Sequence, residues 1–369
     1  MRLLRGNPLG IEITDTHVKL CEARKKGGKT QVKHYASVEL PNGTMNDGRL
    51  MDELALAQAC REALNLRPWS TGDVRFAIPS QTVMVRFLKM PNVGTKALRK
   101  IVDFEIKHNI HLPFDDPFYD FVKLETKESP APAIKSDAKL FQHQWEAAAA
   151  KEPSGSNPFA APPADSEDIA VNTCDVMLVA ASMESLRQYT RLFEDLGLKL
   201  SSIEIKAFSL NRLQQLSSPK QELLLLADVG AANCDLTIVQ DGVIRITRNV
   251  PLSFTAQKEQ PADALDRLFA DFIPQTVSYD GSFGDLSGEI ERLINFYRYT
   301  LNHREAVFDR LVVTGDITMM DELIAYLGNR MSLTVATAAA PSIDVAGSRS
   351  EWDLPTYAVP LGLCLRRGK

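Results

Sequence analysis

The stretch "LLLLADVGAANCDLTIVQDG", residues 223–242, decides the fold. An apolar run ends in an aspartate and a glycine. Two alanines follow, and a second apolar run leaves toward an Asp-Gly turn. The pattern reads as two strands joined by a tight turn, and "VIRITRNVPL" continues it as a third strand. Taken alone, such a hairpin fits plain core. It also fits a loop that holds an anion, because small turn residues let backbone N–H groups approach a phosphate closely.

A counterpart near the start of the chain separates these readings. When Glu12 of "GIEITDTHVKL" is set against Asp228 of "ADVGAANCDLT", Thr14 faces Gly230 and Lys19 faces Asp235. Each segment has an apolar strand ending near an acid, a tight turn, and two further strands. This self-similarity predicts a duplicated unit, two α/β halves that each open with a β-meander. A third element, "LVVTGD", is a strand ending in Gly315 before a helix, at the strand end where α/β proteins bind ligands. Two facing hairpins of this kind can clamp a triphosphate, with acids holding a magnesium shell or positioning water.

The rest of the chain fills in this frame. In "DGRLMDELALAQACREAL" the spacing predicts a helix, capped by Asp47, with Leu50, Leu54, Ala57 and Leu64 on one face. Thr95 is expected to cap a helix carrying Leu98, Ile101, Val102 and Ile106. A helix from Met183 uses Leu186, Tyr189, Phe193 and Leu196. Ser287 is expected to cap another, with Ile290, Leu293, Ile294, Tyr297 and Leu301. "LSSIEIKAFSLNRLQQL" reads as strand then helix, and the tail as a last short helix. Residues 126–172 are rich in Ala, Pro, Ser and charge, and are expected to be disordered. Within them Leu140, Phe141 and Trp145 have near-helical spacing, the pattern of a segment that folds on binding.

Composition sets the outer bounds. The 369 residues carry a net charge of −5, which argues against a nucleic-acid partner. No apolar run reaches the roughly 18 residues of a membrane span, and the first residues lack a signal-peptide pattern, so a cytoplasmic protein is expected. Five cysteines without C-x-x-C spacing point to reduced, buried thiols rather than a metal centre. His17 reads as a lone surface histidine.

Several motifs in order carry a family resemblance. "LGIEITDTHVKL" stands where an "LGIDIGSSSVKL"-like first phosphate loop is found. "LLLADVGAANCDLTIVQDG" matches the second phosphate loop, "GEIERLINFY" the connecting helix, and "RLVVTGD" the adenosine loop. "VRFLKMPNVGTKALRKIVDFEIKHNIHLPFDDPFYDF" resembles a small subdomain, and "VMLVAASMESLRQYTRLFEDLGLKLSSIEIKAFSLNR" is the most specific segment. Together they resemble the actin-like ATPase superfamily, and within it the PilM family of type IV pilus assembly proteins.

That resemblance implies an actin-like α/β fold. Duplicated ribonuclease H-like halves would flank a nucleotide cleft, with a small inserted α+β subdomain. The halves would be 1–75 with 174–220, and 221–369; the insert would be 76–173. It implies ATP and magnesium as ligands. Lys19 would reach a β-phosphate, and Asp228 would act through magnesium-bound water. Gly230, Ala231 and Ala232 would lend backbone donors. Gly315 would lie against the nucleoside, with Glu289 and Arg292 near the base. It further implies a groove between large and small subdomains, lined by Met90, Leu98, Ile101 and Ile106. That groove would take the N-terminal cytoplasmic tail of a PilN-like inner-membrane protein. Membrane contact would come only through this partner, at the inner face, and self-association stays open.

The chain departs from the pattern at Glu12, where an Asp is usual, and at Thr14, where a Gly is usual. It departs again at Thr314, beside Gly315, and in the missing glycines after "RNVPLSF". A Cβ at the Thr14 position crowds a phosphate. At most a weak ATPase is expected. Two alternatives remain on the same fold. A small-molecule kinase would need intact phosphate loops and a carboxylate base. An FtsA-like filament protein would need a C-terminal amphipathic helix, for which "LGLCLRRGK" is too short.

Overall fold

A computed structural model describes residues 7–70, 72–124, 172–217, 222–254, 257–258, 277–346 and 352–366. The segment expected to be disordered and its Leu140–Phe141–Trp145 pattern lie outside these residues.

The described chain divides into two compact units, 1–85 with 114–119 and 179–369, and 86–113 with 120–178. Among the described residues, the two large sheets of the first unit have six and five strands. The first sheet holds the meander β1 (Leu9–Ile13), β2 (His17–Lys26) and β3 (Lys29–Glu39). β4 (Asp73–Ile78) pairs parallel to β1 on its open side. The second unit draws on residues of β5 (Val83–Pro91), β6 (Pro117–Leu124) and β7 (Thr173–Ser182). In the first unit, β8 (Lys199–Ile205) then pairs parallel to β4.

The second sheet repeats the plan. Its meander is β9 (Leu223–Val229), β10 (Asn233–Gln240) and β11 (Val243–Pro251). β12 (Arg310–Gly315) pairs parallel to β9, and β13 (Thr334–Thr337) pairs parallel to β12. Both sheets therefore run third strand, second, first, then two parallel strands. The expected duplication holds to the level of topology.

The helices are α1 (Glu53–Asn65), α2 (Thr95–His108), α3 (Met183–Asp195), α4 (Lys206–Gln214), α5 (Asp280–Asn295), α6 (Met320–Arg330) and α7 (Ala358–Cys364). Three boundaries differ from expectation. α1 is capped by Asp52, whose carboxylate accepts from the Ala55 N–H at 3.0 Å, while Asp47 sits in a left-handed turn with φ 50°. The later start turns the buried face to Leu56, Ala57, Cys60 and Ala63 and leaves Leu54 exposed. α2 begins at Thr95 itself, with Gly94 at the cap position. α5 begins at Asp280, so Ser287 is an interior, fully buried residue rather than a cap. The expected face of α5 is otherwise present, because Ile290, Leu293, Ile294 and Tyr297 are all buried against the second sheet, though Leu301 is exposed.

The C-terminal residues cross back from where they were expected. β14 (Ile343–Val345) pairs parallel to β3, and α7 packs on β1 and α4. Gly10 makes the α7 contact possible, because a Cβ there would lie 2.0 Å from the Pro360 carbonyl oxygen. All five cysteines are free and buried. Among the described residues, no helix is long and apolar enough to cross a membrane.

Candidate functional site

Strand alternation explains where the acids of the second sheet point. Leu223, Leu225, Ala227 and Val229 of β9 join the core under α5, as do Cys234, Leu236 and Ile238 of β10. With a period of two, Asp228 and Asp235 must then face the other side, and they stand directly opposite each other in the β9–β10 ladder. In the first sheet Glu12 stands directly opposite Lys19. The repeat alignment that set Glu12 on Asp228 and Lys19 on Asp235 is thus reproduced in the strand registers.

These four residues are all buried, and a fifth brings them together. Lys206 is the first residue of α4. Its Nζ lies 3.0 Å from Glu12 Oε1, 3.0 Å from Asp228 Oδ2 and 3.6 Å from Asp235 Oδ2. Lys19 Nζ lies 3.3 Å from Glu12 Oε2 and 3.1 Å from Asp316 Oδ2. The Thr314 hydroxyl donates to Asp228 Oδ1 at 2.8 Å, and the Asn249 amide donates to Asp235 Oδ1 at 2.9 Å. His17 is half-buried rather than a lone surface residue, with Nδ1 3.5 Å from Asp316.

The physical chemistry of this cluster is one of mutual necessity. An isolated buried charge is prohibitively costly, so each of these groups depends on its neighbours. Burial disfavours the ammonium of Lys206, yet Asp228, Glu12 and Asp235 outweigh it and hold its pKa well above 10.5. Lys19 is likewise held up against burial by Glu12 and Asp316. Burial raises the Asp228 carboxyl, but Lys206, Lys19 and the Thr314 hydrogen bond bring it below its ordinary value. Asp235 goes the other way. Burial and the facing Asp228 raise it more than Lys206 lowers it.

The remaining predicted site residues fall into three groups. Thr14 is spent on its own turn, where its hydroxyl accepts from the His17 N–H at 2.9 Å and the Thr16 N–H at 3.3 Å. Gly230 closes the second turn, donating its N–H to the Asn233 carbonyl at 2.9 Å, with Ala231 and Ala232 exposed at its tip. Gly315 is required by geometry. Its φ is +124°, and a Cβ would lie 1.9 Å from the Val229 carbonyl oxygen. Glu289 and Arg292 pair with each other one turn apart on α5, and Glu289 also lies 3.7 Å from Arg248. They make no contact with the charge cluster. Of the groove residues, Met90 and Leu98 are buried in the core, so neither presents a surface. Ile101 and Ile106 on α2 are half-buried.

Lys206 is the residue that sequence reasoning missed. In "IEIKAFS" it reads as a polar junction between strand and helix. The available signal was its position, since a lysine at the first turn of a helix opposes the macrodipole and calls for a reason.

The residues present do not fit a magnesium ion. Magnesium requires about six oxygens at roughly 2.0–2.1 Å in octahedral geometry. Here an ammonium stands within 3.0 Å of both Glu12 and Asp228, in the space such an ion would need. Among the described residues, no group of three or more His, Cys, Asp or Glu side chains is arranged to hold a metal. The Lys19 ammonium, expected on a phosphate, is shared between Glu12 and Asp316. A cavity of about 350 Å³ abuts the cluster, lined by Ser80, Gln81, Met84, Asp235, Arg248 and Asn249 among others.

Residues 10–136 match the family model described as type IV pilus assembly protein PilM. The solved "PilM-PilN type IV pilus biogenesis complex" matches at 20% identity and a TM-score of 0.70, covering 98% of each chain. The chain is similar to PilM. The actin-like fold expected from the sequence is the one observed. More distant likenesses are the ethanolamine utilization protein EutJ of Carboxydothermus hydrogenoformans and MreB 5 of Spiroplasma citri. The first has 10% identity and a TM-score of 0.47, covering 97% of this chain and 88% of that one. The second, solved with AMPPNP, has 10% identity and a TM-score of 0.45, covering 96% and 94%. No curated protein matches the chain.

Proposed function

We propose that the chain is an actin-like scaffold of type IV pilus assembly. It binds the N-terminal cytoplasmic tail of a PilN-like inner-membrane protein and sits at the inner face of that membrane through this partner. The observation that carries the reading is the full-length likeness to the PilM of the PilM-PilN complex, together with the PilM family match over residues 10–136. The tail is proposed to lie along α2, where Ile101 and Ile106 keep part of their apolar surface accessible. ATP enters this reading as a regulatory ligand at most. A kinase is disfavoured, because the Thr14 hydroxyl is spent on its own turn and the Lys19 ammonium is shared between Glu12 and Asp316 rather than left for a phosphate.

The test is a titration of the purified chain with a fluorescent peptide of the tail from the PilN-like protein of the same genome, with and without ATP. Saturable binding that Ile101→Asp and Ile106→Asp each weaken by about tenfold, or about 1.4 kcal/mol, supports the reading. Absence of binding under every nucleotide condition, in a chain that is folded by circular dichroism, overturns it.

A further inference from the structure

We propose that Lys206 is the built-in cation of the cleft. Its ammonium takes the place among Glu12, Asp228 and Asp235 that a divalent ion would occupy, and it latches the two sheets together without metal or nucleotide. The inference does not depend on the identity of the partner, since it rests on the charge cluster alone.

The origin of each charge supports it. Both ammonium groups come from the first sheet and the helix that follows it, Lys19 on β2 and Lys206 at the start of α4. Three of the four acids, Asp228, Asp235 and Asp316, come from the second sheet or the residue just after β12. Glu12 of β1 lies between the two lysines and contacts both. The seam between the sheets thus sets both cations on one side against three of the four acids on the other.

Burial makes the latch permanent rather than occasional. The Lys206 side chain is 8% exposed, and it cannot leave without stripping its ammonium from Glu12, Asp228 and Asp235 at once. A divalent ion cannot share the position, since it would face an ammonium at hydrogen-bond distance from its own ligands. Access does not explain the exclusion, because the adjoining cavity reaches Asp235. The position of Lys206 in its helix points the same way. A cation at the first residue of α4 faces the positive end of the helix dipole, a placement stabilised here only by the carboxylates.

Manganese is the probe, read by its electron paramagnetic resonance signal on the full chain. The wild type is expected to leave stoichiometric Mn²⁺ free and to show the same thermal midpoint in magnesium and in EDTA. Lys206→Ala removes the ammonium that Glu12, Asp228 and Asp235 share. It is expected to bind Mn²⁺ at least about tenfold more tightly than the wild type, since affinity follows the charge of the ligand set. It should also gain thermal stability as Mn²⁺ is added, by linkage. Adding Asp228→Asn should remove that uptake. If Lys206→Ala does not fold even with Mn²⁺, the charge-balanced pair Lys206→Gln with Asp235→Asn is read in the same way. Two results overturn the proposal. One is a wild-type chain that takes up one Mn²⁺ that Asp228→Asn abolishes. The other is a folded Lys206 variant that takes up none.

Discussion

The hairpins 9–26 and 223–240 occupy the same place in two sheets that share a five-strand order, yet they handle charge in opposite ways. In the first, the acid Glu12 faces Lys19 across the ladder, so the pair is neutral where it is made. In the second, Asp228 faces Asp235, a like-charged pair that destabilises a ladder on its own. The second hairpin therefore cannot be buried as it stands. It needs a cation from elsewhere, and the chain supplies Lys206 from the helix that ends the first half. A duplicated unit has diverged so that one copy pairs its acid within its own ladder and the other is completed by its twin.

The largest way to break this comparison is to remove the shared cation. Lys206→Ala leaves Glu12, Asp228 and Asp235 buried without their common partner. Breaking a buried ion pair from one side costs about 3–5 kcal/mol, and the upper part of that range is expected here. Urea unfolding followed by circular dichroism measures it. A cost below about 1 kcal/mol would mean that the second hairpin tolerates its acids unaided.

A second substitution tests the strand that supports Asp228 from the other side. Gly315→Ala places a methyl group 1.9 Å from the Val229 carbonyl oxygen at a φ that L-residues rarely adopt. Strain and overpacking together should cost about 3 kcal/mol in the same assay. Because Gly315 lies next to Thr314, the loss should be accompanied by a disturbed Asp228 environment, visible as a changed acid unfolding midpoint.

The comparison also shows what could be read from the sequence. The two meanders, their turns and the alignment of Glu12 with Asp228 were legible, because period-two alternation and small turn residues are local signals. Lys19 could be aligned with Asp235 for the same reason, since each stands seven residues after the acid that ends the first strand. Lys206 could not be found this way. Its partners are far off along the chain, and the hint in "IEIKAFS", a cation at the start of a helix, does not say which carboxylates it meets. The Asp47 cap failed because Asp52 caps the helix instead, and the Ser287 cap failed because the helix runs on from Asp280 through the buried Phe283 and Leu286. Met90 and Leu98, which the resemblance set along a groove, are buried, and the sequence alone does not separate the two because an apolar residue in a helix or strand looks the same whether it lines a groove or fills a core.

The sharper tests substitute one acid of the second hairpin at a time, with the same change at each. Asp228→Asn keeps the Thr314 hydrogen bond and removes a charge whose folded pKa lies below its ordinary value. Such a group stabilises the fold above its unfolded pKa, and that stability is lost as pH falls through the lowered folded value. At neutral pH the variant should cost about 2 kcal/mol, the scale of a charge-assisted hydrogen bond.

Asp235→Asn should do the opposite, and the sign follows from the same linkage. The folded pKa of Asp235 is raised, by burial first and by Asp228 as well, so its charged form opposes folding at neutral pH. Asparagine still accepts the Asn249 hydrogen bond and removes the like-charge contact. The variant should be neutral or more stable by up to about 1 kcal/mol at pH 7, where a facing like-charge pair has been relieved. The gain should vanish as pH falls below the ordinary carboxylate range, where the wild-type residue is protonated in both states. Measured across that pH range, the two variants should converge from opposite sides. If Asp235→Asn instead costs as much as Asp228→Asn, Lys206 belongs equally to both acids. The second hairpin would then carry a balanced triad rather than one paired acid and one surplus acid.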